Sequence, residues 1–187
     1  MLDIVGSMVI AAVVVLVLLT LNLNIISSSS ENLNTNIAQR ELTTAVSVLE
    51  YDLFKIGYRV STDKIAIADS NEIKFYTDFD DNGIRDSIHY YLGTTTELNS
   101  TTNPSDRPLY RTENNDTVKT KFPVVDFNLV YTDSTGNVID YTSLGNQSSR
   151  NLIKTIAVLL TVESGEPVEG NYQTSQWEKK ISPKNLR

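Results

Sequence analysis

Hydrophobic and polar positions divide the chain into three stretches with different patterns. The first is apolar without a period. Residues 8–21 form a run of fourteen with no charge, no proline and no glycine, and widening it to Ile4 and Ile26 admits clear breaks only at Gly6, Ser7, Asn22 and Asn24. About twenty apolar residues at about 1.5 Å each span a bilayer core of about 30 Å, so the segment is long enough to reside in a membrane. The second stretch has a helical period: Leu42, Val46, Leu49, Leu53 and Ile56 make one stripe, with Arg40, Glu41, Glu50, Asp52 and Lys55 read as lying off it. Between these two, residues 27–36 are rich in Ser and Asn, weak helix material that can fray locally. Residues 1–57 are predicted to form one long helix of about 80 Å, closed by Gly57 as its C-cap.

From residue 58 the period becomes two. Strands are predicted over residues 73–77 and 87–92, joined by an Asp-rich connection in which Asn82-Gly83 is a hairpin signal. Further strands are predicted over residues 109–112, 124–132, 152–163 and 177–181. In the fourth, Phe127, Leu129 and Tyr131 share a face, and in the fifth, Ile156, Val158, Leu160 and Val162 do. The expected class is α+β: a long N-terminal helix, apolar in its first half, laid on an antiparallel sheet. The helix takes residues 1–57 and the β domain residues 58–187, with no repeat and no second domain.

The apolar half of such a helix makes physical sense in lipid, or bundled with the same half of other copies in a filament core. Ile4, Val5, Val9, Ala12, Val14, Leu16, Leu18 and Leu21 are the candidate residues of that core. The net charge of −7 and the pI near 4.7 argue against nucleic acid or an anionic membrane surface as partner. With no cysteine, a disulfide scaffold and a thiolate metal site are excluded. A cleaved secretory signal fits poorly, because the first basic residue is Arg40 and no small-residue cleavage site follows the apolar core. The missing basic flank leads to the expectation that a short basic leader has been removed.

The Asp-rich connection is the one candidate metal site. Asp78, Asp80 and Asn82 have the one-three-five oxygen spacing of a calcium loop, Ile84 stands where a carbonyl ligates, and Asp86 falls ninth. His89 occupies the twelfth position in place of a bidentate glutamate, so this is no EF-hand; the alternative is a solvated acidic hairpin tip. No catalytic constellation and no glycine-rich phosphate loop is present, and no enzyme is expected. His89, the sole histidine, is assigned a surface or cross-strand role. Asn99, Asn115 and Asn146 head glycosylation sequons, a match that an Asn/Thr-rich chain also produces by chance, and Tyr172 and Trp177 are expected to cover the edge of a core.

The order of these elements resembles the type IV pilin superfamily, including the pseudopilins of type II secretion. The more specific likeness runs over residues 73–92, Leu109 to Arg111, Phe127 to Tyr131 and residues 153–162, an order similar to minor pseudopilins of the J-like type. The resemblance implies a structural subunit that sits in the inner membrane, is processed by a prepilin peptidase, and assembles with its own copies on a membrane platform into a cell-surface filament. One departure stands out: where the family carries a glutamate, counting from Met1 as the processed terminus, this chain has Val5, and the nearby carboxylate is Asp3. Either Asp3 pairs with a neighbouring subunit's α-amino group, directly or because residues upstream of Met1 are missing, or it sits at a water-exposed helix start favoured by the dipole. The alternatives to a pilus subunit are a minor pseudopilin and a non-polymerising single-span protein with an extracytoplasmic binding domain.

Overall fold

One helix, α1, runs without a break from Leu2 to Phe54 in the computed structural model, which describes residues 2–98, 101–114, 116 and 119–186. The serine-rich segment expected to fray stays helical. Ser30 and Thr35 turn their hydroxyls onto the carbonyls of Ile26 and Glu31, and the loop after β7 (Thr155–Glu163) meets the helix: Ser27 Oγ donates to Glu169 Oε1 at 2.8 Å and Asn34 Nδ2 to the Glu166 carbonyl at 2.9 Å. Hydroxyls that compete with the backbone elsewhere are here absorbed by it. The last turns tighten to Gly57, which has φ of 73° and donates its N–H to the Tyr76 carbonyl at 2.8 Å. A left-handed residue with a Cβ would cost about 1–2 kcal/mol at that position.

Seven further strands accompany β7. Strands β1 (Ile65–Ala68), β2 (Glu72–Thr77), β3 (Asp86–Leu92), β4 (Arg107–Glu113) and β5 (Thr120–Val124) form a five-stranded antiparallel sheet in chain order. Strands β6 (Asp126–Thr132), β7 and β8 (Thr174–Ile181) form a second, three-stranded antiparallel sheet. The class is α+β, as the periodicities predict. Of the stretch predicted as one strand over residues 124–132, residues 126–132 are β6, paired with β7, while Val124 ends β5, paired with β4, and Val125 carries the chain across from one sheet to the other. The strand predicted from residue 152 begins at Thr155, with Leu152 exposed in the turn before it. Among the described residues the pattern left β1, β5, the helix α2 (Gln147–Arg150) and the short turns at Thr95–Glu97 and Lys184–Leu186 unassigned. β1 is four residues long and carries an irregularity in its pairing, β5 does not alternate, and α2 is a single turn, so none of them shows a period.

The second half of α1 closes the core. Ala38, Leu42, Ala45, Leu49 and Leu53, with Ile56 just past its end, are buried against β-residues that alternate as predicted, among them Phe75, Tyr90, Phe127, Leu129, Tyr131, Ile156, Val158, Leu160 and Val162. Trp177 is half-buried against this core, and Tyr172 donates its hydroxyl to the Thr102 carbonyl at 3.1 Å.

Candidate functional sites

Above the core, α1 is a bare apolar rod. The candidate core residues Ile4, Val5, Val9, Val14, Leu16, Leu18 and Leu21 are each 51–65% exposed, and Ala12 lies exposed among them. At about 100° per residue these positions fall on two opposite sides of the helix, and the equally exposed Val13, Val15, Val17 and Leu19 fill the arcs between them, so no single face is singled out. The best 18-residue window of the helix has a mean hydropathy of 2.9 and none of it is buried. Asp3 lies exposed in the first turn, the end of a helix that favours a carboxylate.

The second site is the connection between β2 and β3. The register pairs Thr77 with Asp86, so Asp78 and Asp86 stand at the mouth of the hairpin, with the loop held between them. Asp86 Oδ2 accepts the Phe79 N–H at 2.8 Å, and its Oδ1 accepts Asn114 Nδ2 at 2.8 Å. Asp78 Oδ2 accepts the Gly83 N–H at 3.0 Å and Arg59 Nη1 at 3.3 Å. Asp80 accepts the backbone and side-chain N–H groups of Asn82, whose own Oδ1 accepts the Ile84 N–H at 2.6 Å. Asp81 and Gly83 supply the left-handed turns, with φ of 64° and 83°. The result brings one carboxylate oxygen each of Asp78, Asp80 and Asp86 within 4.8 Å of one another, with Asp78 and Asp86 buried and Asp80 exposed. Of the five residues the spacing nominates, these three form the cluster; Asn82 braces Asp80, and Ile84 has an exposed side chain. At the loop's base Phe79 packs on the core, and Lys55 near the end of α1 donates to the Phe79 carbonyl at 2.9 Å.

A third arrangement corrects the reading of the helix stripe. Asp52, placed off the stripe by pattern, is 1% exposed. Its Oδ2 accepts Arg111 Nε and the Tyr90 hydroxyl, both at 2.6 Å. Tyr90 on β3 and Arg111 on β4 are register partners, so both reach the helix from one face of the sheet. Burial pushes the Arg111 guanidinium down, and the hydrogen bond and charge of Asp52 more than reverse that, leaving it above an ordinary arginine. Burial, then the Asp52 carboxylate, raises Tyr90. The signal was present in the sequence: Ala45, Leu49, Asp52 and Ile56 are spaced four, three and four apart.

A further buried carboxylate, Asp106, lies before β4 and was not singled out by any pattern. Burial raises its pKa and the neighbouring charge of Glu163 pushes the same way; Glu41 on α1 is raised by burial and then by Asp106. Raised folded values mean that these two groups stabilise the fold fully below their ordinary range near about 4, a contribution lost as pH rises through the folded values. Thermal stability is therefore expected to gain from these two groups as pH falls from neutrality toward about pH 4, and to gain less in Asp106→Asn. Equal slopes in the two proteins, read from melting curves across that range, would remove Asp106 as the source. The lowered carboxylates Glu97, held by Thr94 and by the Tyr110 hydroxyl from β4, and Asp133 and Asp140, held by their own turns' hydrogen bonds, act in the opposite sense but only below their ordinary range.

His89 Nε2 lies 2.8 Å from Glu72 Oε1 on the neighbouring strand, a cross-strand pair. Asn146 is exposed at the start of α2, while Asn99 and Asn115 lie outside the described residues. A long apolar N-terminal helix packed on an antiparallel sheet is compatible with a pilin-like fold. Set against protein-family models, curated proteins and solved structures, the chain finds no match in any of the three.

Proposed function

We propose that this chain is a pilin-like structural subunit that polymerises through the first half of α1. One observation supports the reading above the rest: a helix buried on its own domain from Ala38 onward continues, unbroken, into a rod exposed on every side from Ile4 to Ile26. Removing a Val, Leu or Ile side chain fully from water is worth about 1.5–3 kcal/mol, so the rod's side chains together carry on the order of 10 kcal/mol or more. That is comparable to the whole stability of a domain, about 5–15 kcal/mol, and demands lipid or other copies of the same rod as surroundings. In this reading the rod resides in the inner membrane and then, on an assembly platform and after processing by a prepilin peptidase, joins the shared apolar core of a cell-surface filament. Asp3 there faces the α-amino group of a neighbouring copy, since a carboxylate in apolar surroundings costs several kcal/mol unless paired. The acidic β domain faces outward.

Electron microscopy of sheared surface material, with intact-mass analysis of the band, tests this. Helical filaments built of many copies of this chain are expected, with a mass that gives the processed N-terminus. A chain that stays in the membrane fraction as a monomer or dimer, with no filament, would instead favour a single-span protein carrying a binding domain, and a filament holding it only at trace level would favour a minor pseudopilin.

A further inference from the structure

We propose that the β2–β3 connection is a calcium site whose ligands are the carboxylates of Asp78, Asp80 and Asp86. The site is independent of whether the chain polymerises.

Two separate observations meet there. The first is the convergence of three carboxylate oxygens within 4.8 Å, from residues at loop positions one, three and nine. Among the described residues no other trio of His, Cys, Asp or Glu comes together in this way. The second is the state of Asp78, whose side chain is 2% exposed. Its Oδ2 is satisfied by Gly83 and Arg59, but its Oδ1 is buried with no hydrogen-bond partner. A buried carboxylate oxygen without a donor is costly, and it belongs to the residue that heads the cluster.

The charge balance points the same way. Three carboxylates converge, a fourth, Asp81, adjoins them, and the cation in ion-pair reach is Arg59, half-exposed and shared between Asp78 at 3.3 Å and Asp81 at 3.7 Å. Arg85 does not neutralise the cluster: its guanidinium lies 3.9 Å over the Tyr76 ring. A divalent cation would offset two of the charges and give Asp78 Oδ1 a partner. The donor set decides the kind of cation. Every ligand is a hard oxygen, the chain has no cysteine, and its histidine is engaged with Glu72. Two ligands come from a loop of irregular backbone and the third, Asp86, from the first residue of β3, with two of them buried and one at the surface, a geometry suited to calcium's variable coordination better than to the strict octahedron of magnesium. Asp86 is already aimed by Phe79 and Asn114, and Asp80 by Asn82, so binding needs little rearrangement of either side chain.

The test uses the full chain in detergent micelles, stripped with a chelator and dialysed. Titration with calcium chloride in a calorimeter is expected to show one ion per chain, with a dissociation constant of about 10⁻⁴–10⁻³ M as in extracellular modules, and a rise in melting temperature at about 10 mM calcium. Magnesium is expected to bind at least about tenfold more weakly. Asp80→Asn, which alters an exposed side chain and leaves the buried carboxylates in place, should weaken calcium binding by at least about tenfold without changing the melting temperature of the stripped protein. Asp63→Asn, which removes an exposed carboxylate outside the loop, should bind as the parent does. Absence of heat and of thermal stabilisation up to about 10 mM calcium would overturn the proposal. So would equal binding by parent and Asp80→Asn, equal losses in Asp80→Asn and Asp63→Asn, or magnesium binding as tightly as calcium.

Discussion

Val14→Asp and Leu18→Asp, each alone, are expected to abolish filaments while leaving the β domain folded. Both positions are more than half exposed on the rod, so neither supports the core of its own domain. In a packed apolar bundle, each substitution sets an unpaired carboxylate among aliphatic neighbours, at several kcal/mol per copy, and the cost recurs in every subunit. Membrane residence suffers less, by about 2.5–3.5 kcal/mol for one charge at the centre of an apolar span. Negative-stain microscopy therefore separates the two roles: no filament, with the chain still in the membrane fraction. A fragment of residues 30–187 should remain soluble and folded, because Ala38 is the first buried apolar residue among the described ones. Filaments from either variant would refute the assignment of the rod as the polymer core.

Arg111→Ala is expected to cost about 3–5 kcal/mol, because it strands the Asp52 carboxylate in the interior. The substitution removes the one cation bonded to Asp52 and leaves the Tyr90 hydroxyl as its donor; Asp52 Oδ1 has no partner even in the parent. Against a total of about 5–15 kcal/mol this threatens folding outright, and it corresponds to a fall of about 6–20 °C in melting temperature. Replacing the whole network, as Asp52→Leu with Tyr90→Phe and Arg111→Met, should recover most of the loss, since a buried ion pair exchanged for apolar groups of similar size is often neutral or stabilising. Thermal melts of the single and triple variants decide the matter: a loss below about 1 kcal/mol for Arg111→Ala would mean that Asp52 finds other solvation.

The architecture was legible because two signals rarely mislead. An apolar run with no period declares a rod without its own cover, and strict alternation in residues 127–131 and 156–162 declares strands with one face inward. What stayed hidden depended on partners distant in sequence. Asp52 looks like a surface charge until Tyr90 and Arg111 arrive from two strands, and a charge normally stays in water unless something of opposite sign waits for it. Asp106 is submerged by residues brought from elsewhere in the chain, which no local window contains. The corner at Val125 escaped because β5 does not alternate, running from exposed Thr120 and Lys121 to buried Val124, and periodicity does not say which neighbour a strand chooses. For the acidic loop, spacing nominated five positions and the hairpin register selected three, since pairing Thr77 with Asp86 draws the loop's two ends together.

The unbroken passage of α1 through its serine-rich segment has a mechanical consequence. If the rod is gripped at one end and the domain pulled at the other, tension runs along a single helix, and its least resistant length is residues 27–36, where intrinsic helix preference is lowest. Two hydrogen bonds from the loop after β7, at Ser27 and Asn34, splint that length at rest. Once they part, ten residues passing from about 1.5 Å to about 3.3 Å of rise each would pay out about 18 Å of slack while both ends stay seated. The chain thus carries a yielding link between two rigid parts, and if it polymerises as proposed, its fibre would lengthen under load before it broke.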